Sequence, residues 1–276
     1  MSLSDFIKIN KNEISNFQQN GFRWEKYNRT SVISIPDFND LIKNNNFQEE
    51  LNREIIIDAF NENDYYKAFV LAMMWGGINA TRPSEKGNKL TTNFYKSLID
   101  GKESISNKME RIVKLVNANE IEKVYLSMMP ENENQIQGIG ESYYTKLFYF
   151  ISCNSNEIKI KPLIYDKWTK LIHIGLLIEA NEIDLLCKFY KINDLKSKIL
   201  SPQKTDIIYP KNDKKTDSYI DYITRMNVIA DDNKLNVGNL EAYLFGNPLK
   251  GKVNKSIANP RVFIKNYVCK NLILND

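Results

Sequence analysis

Residues 135–168 read QIQGIGESYYTKLFYFISCNSNEIKIKPLIYDKW, and the fold turns on this stretch. After Gly138-Ile139-Gly140 the apolar residues Tyr143, Tyr144, Leu147, Phe148 and Ile151 recur at helical spacing. Upstream, IEKVYLSMM at 121–129 carries Ile121, Val124, Tyr125, Met128 and Met129 with the same periodicity, so the glycines join two helices. Two glycines around one apolar residue let the backbone turn tightly, bring N–H groups to the surface and tuck Ile139 between the helices. Exposed amides at a helix start suit an anion, and residues 138–141 lie at that start. The pattern describes a helix-hairpin-helix, a module that grips a DNA phosphate through main-chain nitrogens without reading a base. It also suits an ordinary turn between packed helices.

Downstream, the helix ends near Cys153 and a polar loop follows at 154–161. Then PLIYDKW at 162–168 makes an extended apolar approach that delivers Asp166 to the start of a helical run over 168–179. An Asp in that position caps a helix. Its distance from the hairpin gives it a second reading.

A helix-hairpin-helix followed at this distance by an Asp at the next helix start resembles the core of the base-excision DNA glycosylases of the helix-hairpin-helix superfamily. More narrowly, GIGESYYTKLFYF at 138–150 is similar to the GxGxxxxTK..YF segment of bacterial proteins with an 8-oxoguanine DNA glycosylase (OGG)-like fold. The YxxYxxxMxxIA pattern at 219–230 and LExxLF at 240–245 resemble the last two helices of the same family.

The resemblance implies a mostly α, two-lobed helix-hairpin-helix DNA glycosylase fold with a cleft between the lobes. It implies a helical N-terminal region at 1–100, a glycosylase-like core at 101–249 and a basic C-terminal segment at 250–276. Asp166 inherits the role of catalytic carboxylate, and Gly138, Ile139, Gly140 and Ser142 form the phosphate-binding hairpin. Members of the superfamily place Val-Asp after a shorter loop, where this chain has Tyr165-Asp166. The implied partner is double-stranded DNA containing a damaged or modified base, acted on by a monomer with no cofactor and no metal. The 8-oxoguanine label describes a fold and does not name a substrate; repair and removal of modified bases from phage DNA both suit it.

Bifunctional members place a lysine two residues beyond the second glycine, and Ser142 stands there. That departure implies a monofunctional enzyme, in which a carboxylate beside C1′ stabilises an oxocarbenium and guides water. Lys146 lies four residues on, on the same helix face as Ser142. Three readings of it stand: a phosphate contact, a Schiff-base lysine with lyase activity, or a lysine solvated on the helix surface. A non-catalytic helix-hairpin-helix DNA-binding protein remains an alternative for the whole chain.

Three further residues are candidates for a base pocket or cleft edge. Trp75 ends DYYKAFVLAMMW at 64–75, whose apolarity nearly all round marks a buried helix; the indole is either structural or a stacking surface for a flipped base. Arg82 precedes Pro83, which holds it extended, and it either meets a phosphate or faces solvent. Trp168 follows the carboxylate by two residues and either anchors Asp166 from beneath or borders the pocket.

Composition sets the limits. With 42% hydrophobic residues the chain can build a real core, and a formal charge of +4 is compatible with nucleic acid without demonstrating it. Cys153, Cys187 and Cys269 are odd in number and far apart, which argues against a disulfide framework and a four-cysteine iron–sulfur cluster. His173, the only histidine, sits in the apolar run LIHIGLLI and reads as a core or cleft-edge residue. No apolar run reaches membrane-spanning length and residues 1–5 form no signal peptide, so a cytoplasmic location is expected. Lys250, Lys252, Lys255, Arg261, Lys265 and Lys270 form an acid-free tail that either follows DNA backbone or is solvated.

Overall fold

The computed structural model describes residues 1–17, 34–44, 51–80, 92–153, 155, 157–191, 209–245 and 259–273. Among them the fold is all α, with fourteen α-helices and no strand. In chain order these are α1 (Leu3–Ile9), α2 (Lys11–Ser15), α3 (Pro36–Asn44), α4 (Arg53–Asn61), α5 (Tyr65–Trp75), α6 (Asn93–Leu98) and α7 (Gly101–Asn117). There follow α8 (Ile121–Ser127), α9 (Glu141–Ser152), α10 (Lys167–Glu179), α11 (Ile183–Phe189), α12 (Lys215–Asn233), α13 (Val237–Phe245) and α14 (Pro260–Ile273). Backbone contacts divide the chain into two compact units, one of Met1–Gln19 with Tyr165–Asp276, the other of Asn20–Ile164. No helix of the described residues is long and apolar enough to cross a membrane.

The unit of residues 20–164 is built around α5 and α9, packed with α4 and α7. As its composition predicts, α5 buries Tyr66 and every residue from Ala68 to Trp75. Asp64 caps it by accepting from Lys67 N, and it stops at Gly76-Gly77, the second glycine having φ +72°. The helical stripe of α7 buries Ile105, Met109, Ile112 and Val116, while its other face is charged. Arg82 lies outside the described residues.

The other unit is centred on α10, which touches α1, α11, α12, α13 and α14. Every residue from Thr169 to Ile178 is buried. At Gly175 a Cβ would lie 3.5 Å from Val268 and 3.7 Å from Leu3, in ordinary van der Waals contact. At the far end of α10 the Glu179 carboxylate accepts from Leu3 N at 2.8 Å and Ser4 N at 3.0 Å, holding the N-terminal helix. This N-terminal segment is two helices that meet at Asn10, the first capped by Ser2.

The tail gives a plain difference from expectation. Residues 260–273 are a helix, and Ile264, Val268 and Leu272 are buried against α10. Phe263 stacks on Phe6 at 4.1 Å between ring centroids. The apolar residues of this helix point in several directions, Val262 being half exposed, so no one-sided stripe marks it in sequence.

Candidate functional site

In the unit of residues 20–164, α8 and α9 are joined by residues 128–140, a segment that ends in Gly138 and Gly140. The two glycines have different tasks. Gly138 has φ +76°, and a Cβ on it would lie 2.4 Å from Asn93 O, so it is needed both for the left-handed turn and for close approach to α6. Gly140 is exposed, has φ −103° and ψ 177°, and faces open space. The amides of Gly140 and Ser142 make no hydrogen bond among the described residues, which leaves them directed at the surface at the start of α9. The expected tucking of Ile139 is corrected: Ile136 is the buried residue, 1% exposed, while Ile139 is half-buried. The Ile139 amide is spent within the turn on Ile136 O at 3.2 Å, which holds its side chain near the rim.

Basic residues of α7 strap the loop leading into this turn. Lys108 Nζ donates to Gln135 O at 2.8 Å, and Arg111 Nε to Asn134 Oδ1 at 2.8 Å. Asn134, fully buried, passes the connection to Ser127 Oγ of α8. Tyr125 donates to the Glu141 carboxylate and so ties α8 to the first turn of α9. Burial and then the Glu141 charge push the Tyr125 hydroxyl far above the usual phenol range, so it remains a donor. None of these long-range bonds has a local signal in sequence.

Lys146 is 5% exposed, which excludes the surface-solvated reading. Its Nζ donates to Ser142 O and lies 5.1 Å from the Tyr143 ring centroid. Helical side chains lean toward the N-terminus, so the amine reaches back one turn to the place where residue 142 stands. Gly76 makes room, since a Cβ there would meet Lys146 Cδ at 2.9 Å. Trp75, the neighbour of Gly76, is 8% exposed, packs edge to face on Phe150 at 5.2 Å, and carries the Arg53 guanidinium 5.1 Å from its ring centroid. Trp75 and Lys146 therefore come together in one corner of this unit, with Arg53 as an unforeseen third member.

In the unit containing α10, Asp166 is the N-cap of that helix. Its Oδ1 accepts from Trp168 N at 2.8 Å and Thr169 N at 3.2 Å, and Thr169 Oγ1 accepts from Asp166 N at 2.7 Å, completing a capping box. The second carboxylate oxygen makes no hydrogen bond among the described residues. One oxygen thus orients the group at the start of the helix.

Tyr165, the residue before Asp166, is fully buried. Its hydroxyl lies 2.6 Å from Ser218 Oγ and 2.8 Å from Tyr190 Oη, and Tyr190 Oη lies 2.9 Å from His173 Nδ1. His173 Nε2 is 2.7 Å from Asp221 Oδ2. A carboxylate only accepts, so the Nε2 nitrogen carries the proton and Nδ1 accepts from Tyr190. Burial holds the His173 imidazole below its usual pKa and thus neutral, against the pull of Asp221. Burial raises Asp221, but the bonds from His173 and Arg225 outweigh it and leave the carboxyl below its usual range. Arg225 also pairs with Glu182, carrying the network to α11. Ser218, His173 and Asp221 have the residue types of a nucleophilic triad, but Ser218 is fully buried and admits no substrate; the network is a brace.

Trp168 is half-buried, with Arg261 at 4.7 Å and Lys167 at 5.3 Å from its ring centroid. Arg261, on α14, feels the Asp166 charge, while burial lowers its own pKa.

The family described as "Putative 8-oxoguanine DNA glycosylase OGG-like protein" matches residues 15–245. No curated protein and no solved structure matches the chain. Because the match spans most of the chain and takes in the hairpin, Lys146 and Asp166, the protein belongs to this OGG-like DNA glycosylase family.

Proposed function

We propose that the protein hydrolyses the N-glycosidic bond of a damaged or modified base flipped from double-stranded DNA, without a lyase step. The observation that carries this reading is the Asp166 carboxylate, fixed through one oxygen at the start of α10 with its other oxygen unengaged. The C1′–N bond breaks with its electron pair leaving on the base, and the carboxylate stabilises the cationic sugar. Water then adds to C1′ and gives its proton to Asp166, while the released base takes up a proton. The exposed amides of Gly140 and Ser142 supply a grip on phosphate that is indifferent to sequence. Flipping costs a few kcal/mol of stacking and pairing, least for a lesion or mismatch, which is one source of selectivity.

The substrate is an altered base in cellular DNA or a modified base of phage DNA, so the biological setting is base excision repair or antiviral defence. The test incubates the protein with genomic and phage DNAs and identifies released bases by mass spectrometry. A released free base with intact strands supports the reading; no release from any DNA by folded protein favours a non-catalytic DNA-binding module.

A second reading is favoured by the position of the Lys146 amine beside Ser142 O, where bifunctional members of the superfamily carry their lysine. In that route the amine attacks C1′, the base leaves, and the Schiff base permits strand cleavage. Strand incision before alkaline treatment, with a borohydride-trapped adduct, would select it.

A further inference from the structure

The C-terminal helix α14 lies beyond the family match, which ends at residue 245, and yet it places an arginine over Trp168, whose main-chain N–H donates to the Asp166 carboxylate. The Arg261 guanidinium lies over two rings, 4.7 Å from the Trp168 centroid and 4.9 Å from that of Phe245. Its Nε donates to Phe245 O at 2.5 Å, and its main-chain N–H is capped by Asn259 Oδ1 at 3.0 Å. The side chain is therefore held by its contacts with the two rings and by one of its five N–H donors. The Nη groups make no hydrogen bond and no ion pair among the described residues. Arg261 feels the Asp166 charge, but the two make no ion pair among the described residues. An arginine whose task was to neutralise Asp166 would close that pair. This one keeps its fork available.

A half-buried guanidinium with unused donors is stabilised by an anion with two oxygens that can accept two of them. The anion that every nucleotide brings beside its sugar is the phosphodiester. We propose that Arg261 binds a backbone phosphate flanking the target nucleotide and so seats its C1′ against Asp166, with Trp168 and Phe245 as the clamp that aims the guanidinium. This rests on the reading of Asp166 as the catalytic carboxylate, and it makes α14 part of the DNA-binding surface through one defined residue.

The experiment measures binding of the full-length protein to a duplex with a tetrahydrofuran abasic-site analogue, by fluorescence anisotropy across salt concentrations, for wild type, Arg261→Gln and Arg261→Lys. Loss of one phosphate contact lowers the slope of log affinity against log salt by about 0.9. The expected result for Arg261→Gln is that lower slope with a roughly tenfold loss of affinity, the single-turnover rate at saturating protein falling less than the affinity. Arg261→Lys keeps the charge and restores the slope. An unchanged slope in Arg261→Gln overturns the proposal, and an excision defect without any change in slope makes Arg261 a mere support for Trp168. Wild-type protein that binds no DNA would instead refute the glycosylase reading itself. Should Arg261→Gln fail to fold, phenylglyoxal labelling of the wild type decides: DNA protects Arg261 if it meets a phosphate, and equal labelling with and without DNA overturns the contact.

Discussion

Replacing Asp166 by Asn separates a cap from a catalyst. Only Oδ1 accepts the amides of Trp168 and Thr169, and an Asn amide oxygen offers the same acceptor. Asn and Asp cap about equally, so the folding free energy changes by no more than about 0.5 kcal/mol. In a chain of this size that moves the melting temperature by less than about 2 °C. The charge is another matter. An oxocarbenium facing a neutral amide loses the stabilisation that an electrostatic group supplies, for which a hundredfold slower excision, about 2.7 kcal/mol, is a lower estimate. Asp166→Ala is the control for the cap: it removes the acceptor as well and destabilises by about 1 kcal/mol. The assay is single-turnover base release beside a melting curve on the same preparation, using the DNA from which the wild type releases base. An Asp166→Asn protein excising within tenfold of wild type would refute the assignment. One that melts far below wild type would refute the claim that the carboxylate's structural duty is confined to Oδ1.

Other outcomes follow from the same geometry. Gly138→Ala should destabilise the fold by about 1–3 kcal/mol, since the residue has φ +76° and its Cβ would meet Asn93 O. Gly140→Val should leave the melting curve nearly unchanged yet weaken binding to damaged and undamaged duplexes alike, because the backbone there is extended and open; selective loss for one sequence would mean the turn reads bases. Wild-type protein should yield abasic sites and no borohydride-trapped adduct, whereas an adduct that vanishes in Lys146→Met would assign the amine. Stability should fall as pH drops below about 6.5, the ordinary value for a histidine. The unfolded chain takes up a proton there that folded His173 resists, at a slope of up to about 1.4 kcal/mol per pH unit. Chemical denaturation between pH 8 and 5 checks this, and His173→Gln should flatten that part of the profile. The Asp221 contribution disappears only under more acid conditions, below the ordinary carboxyl value of 3.8.

What residues 121–168 and their neighbours disclosed by themselves was local. Helical spacing placed α8, α9 and α10 within a residue or two, and the apolar run before Trp75 marked a buried helix, because these features depend on neighbours three and four positions away. The glycine turn and the position of Asp166 at a helix start were legible for the same reason, as was the burial of His173. The burial of Ile136 in place of Ile139 was decided by how the turn closes on its own carbonyl. Lys146 could be placed on the face of Ser142, but whether that face was wet depended on Gly76, seventy residues upstream, giving it room. The straps from Lys108 and Arg111, the Tyr165–His173–Asp221 brace, and the Arg261 clamp on Trp168 join residues far apart in the chain. A lysine or arginine in sequence looks the same whether solvated or spent on a carbonyl. Only packing, which removes water from one side of it, settles which partner it must find.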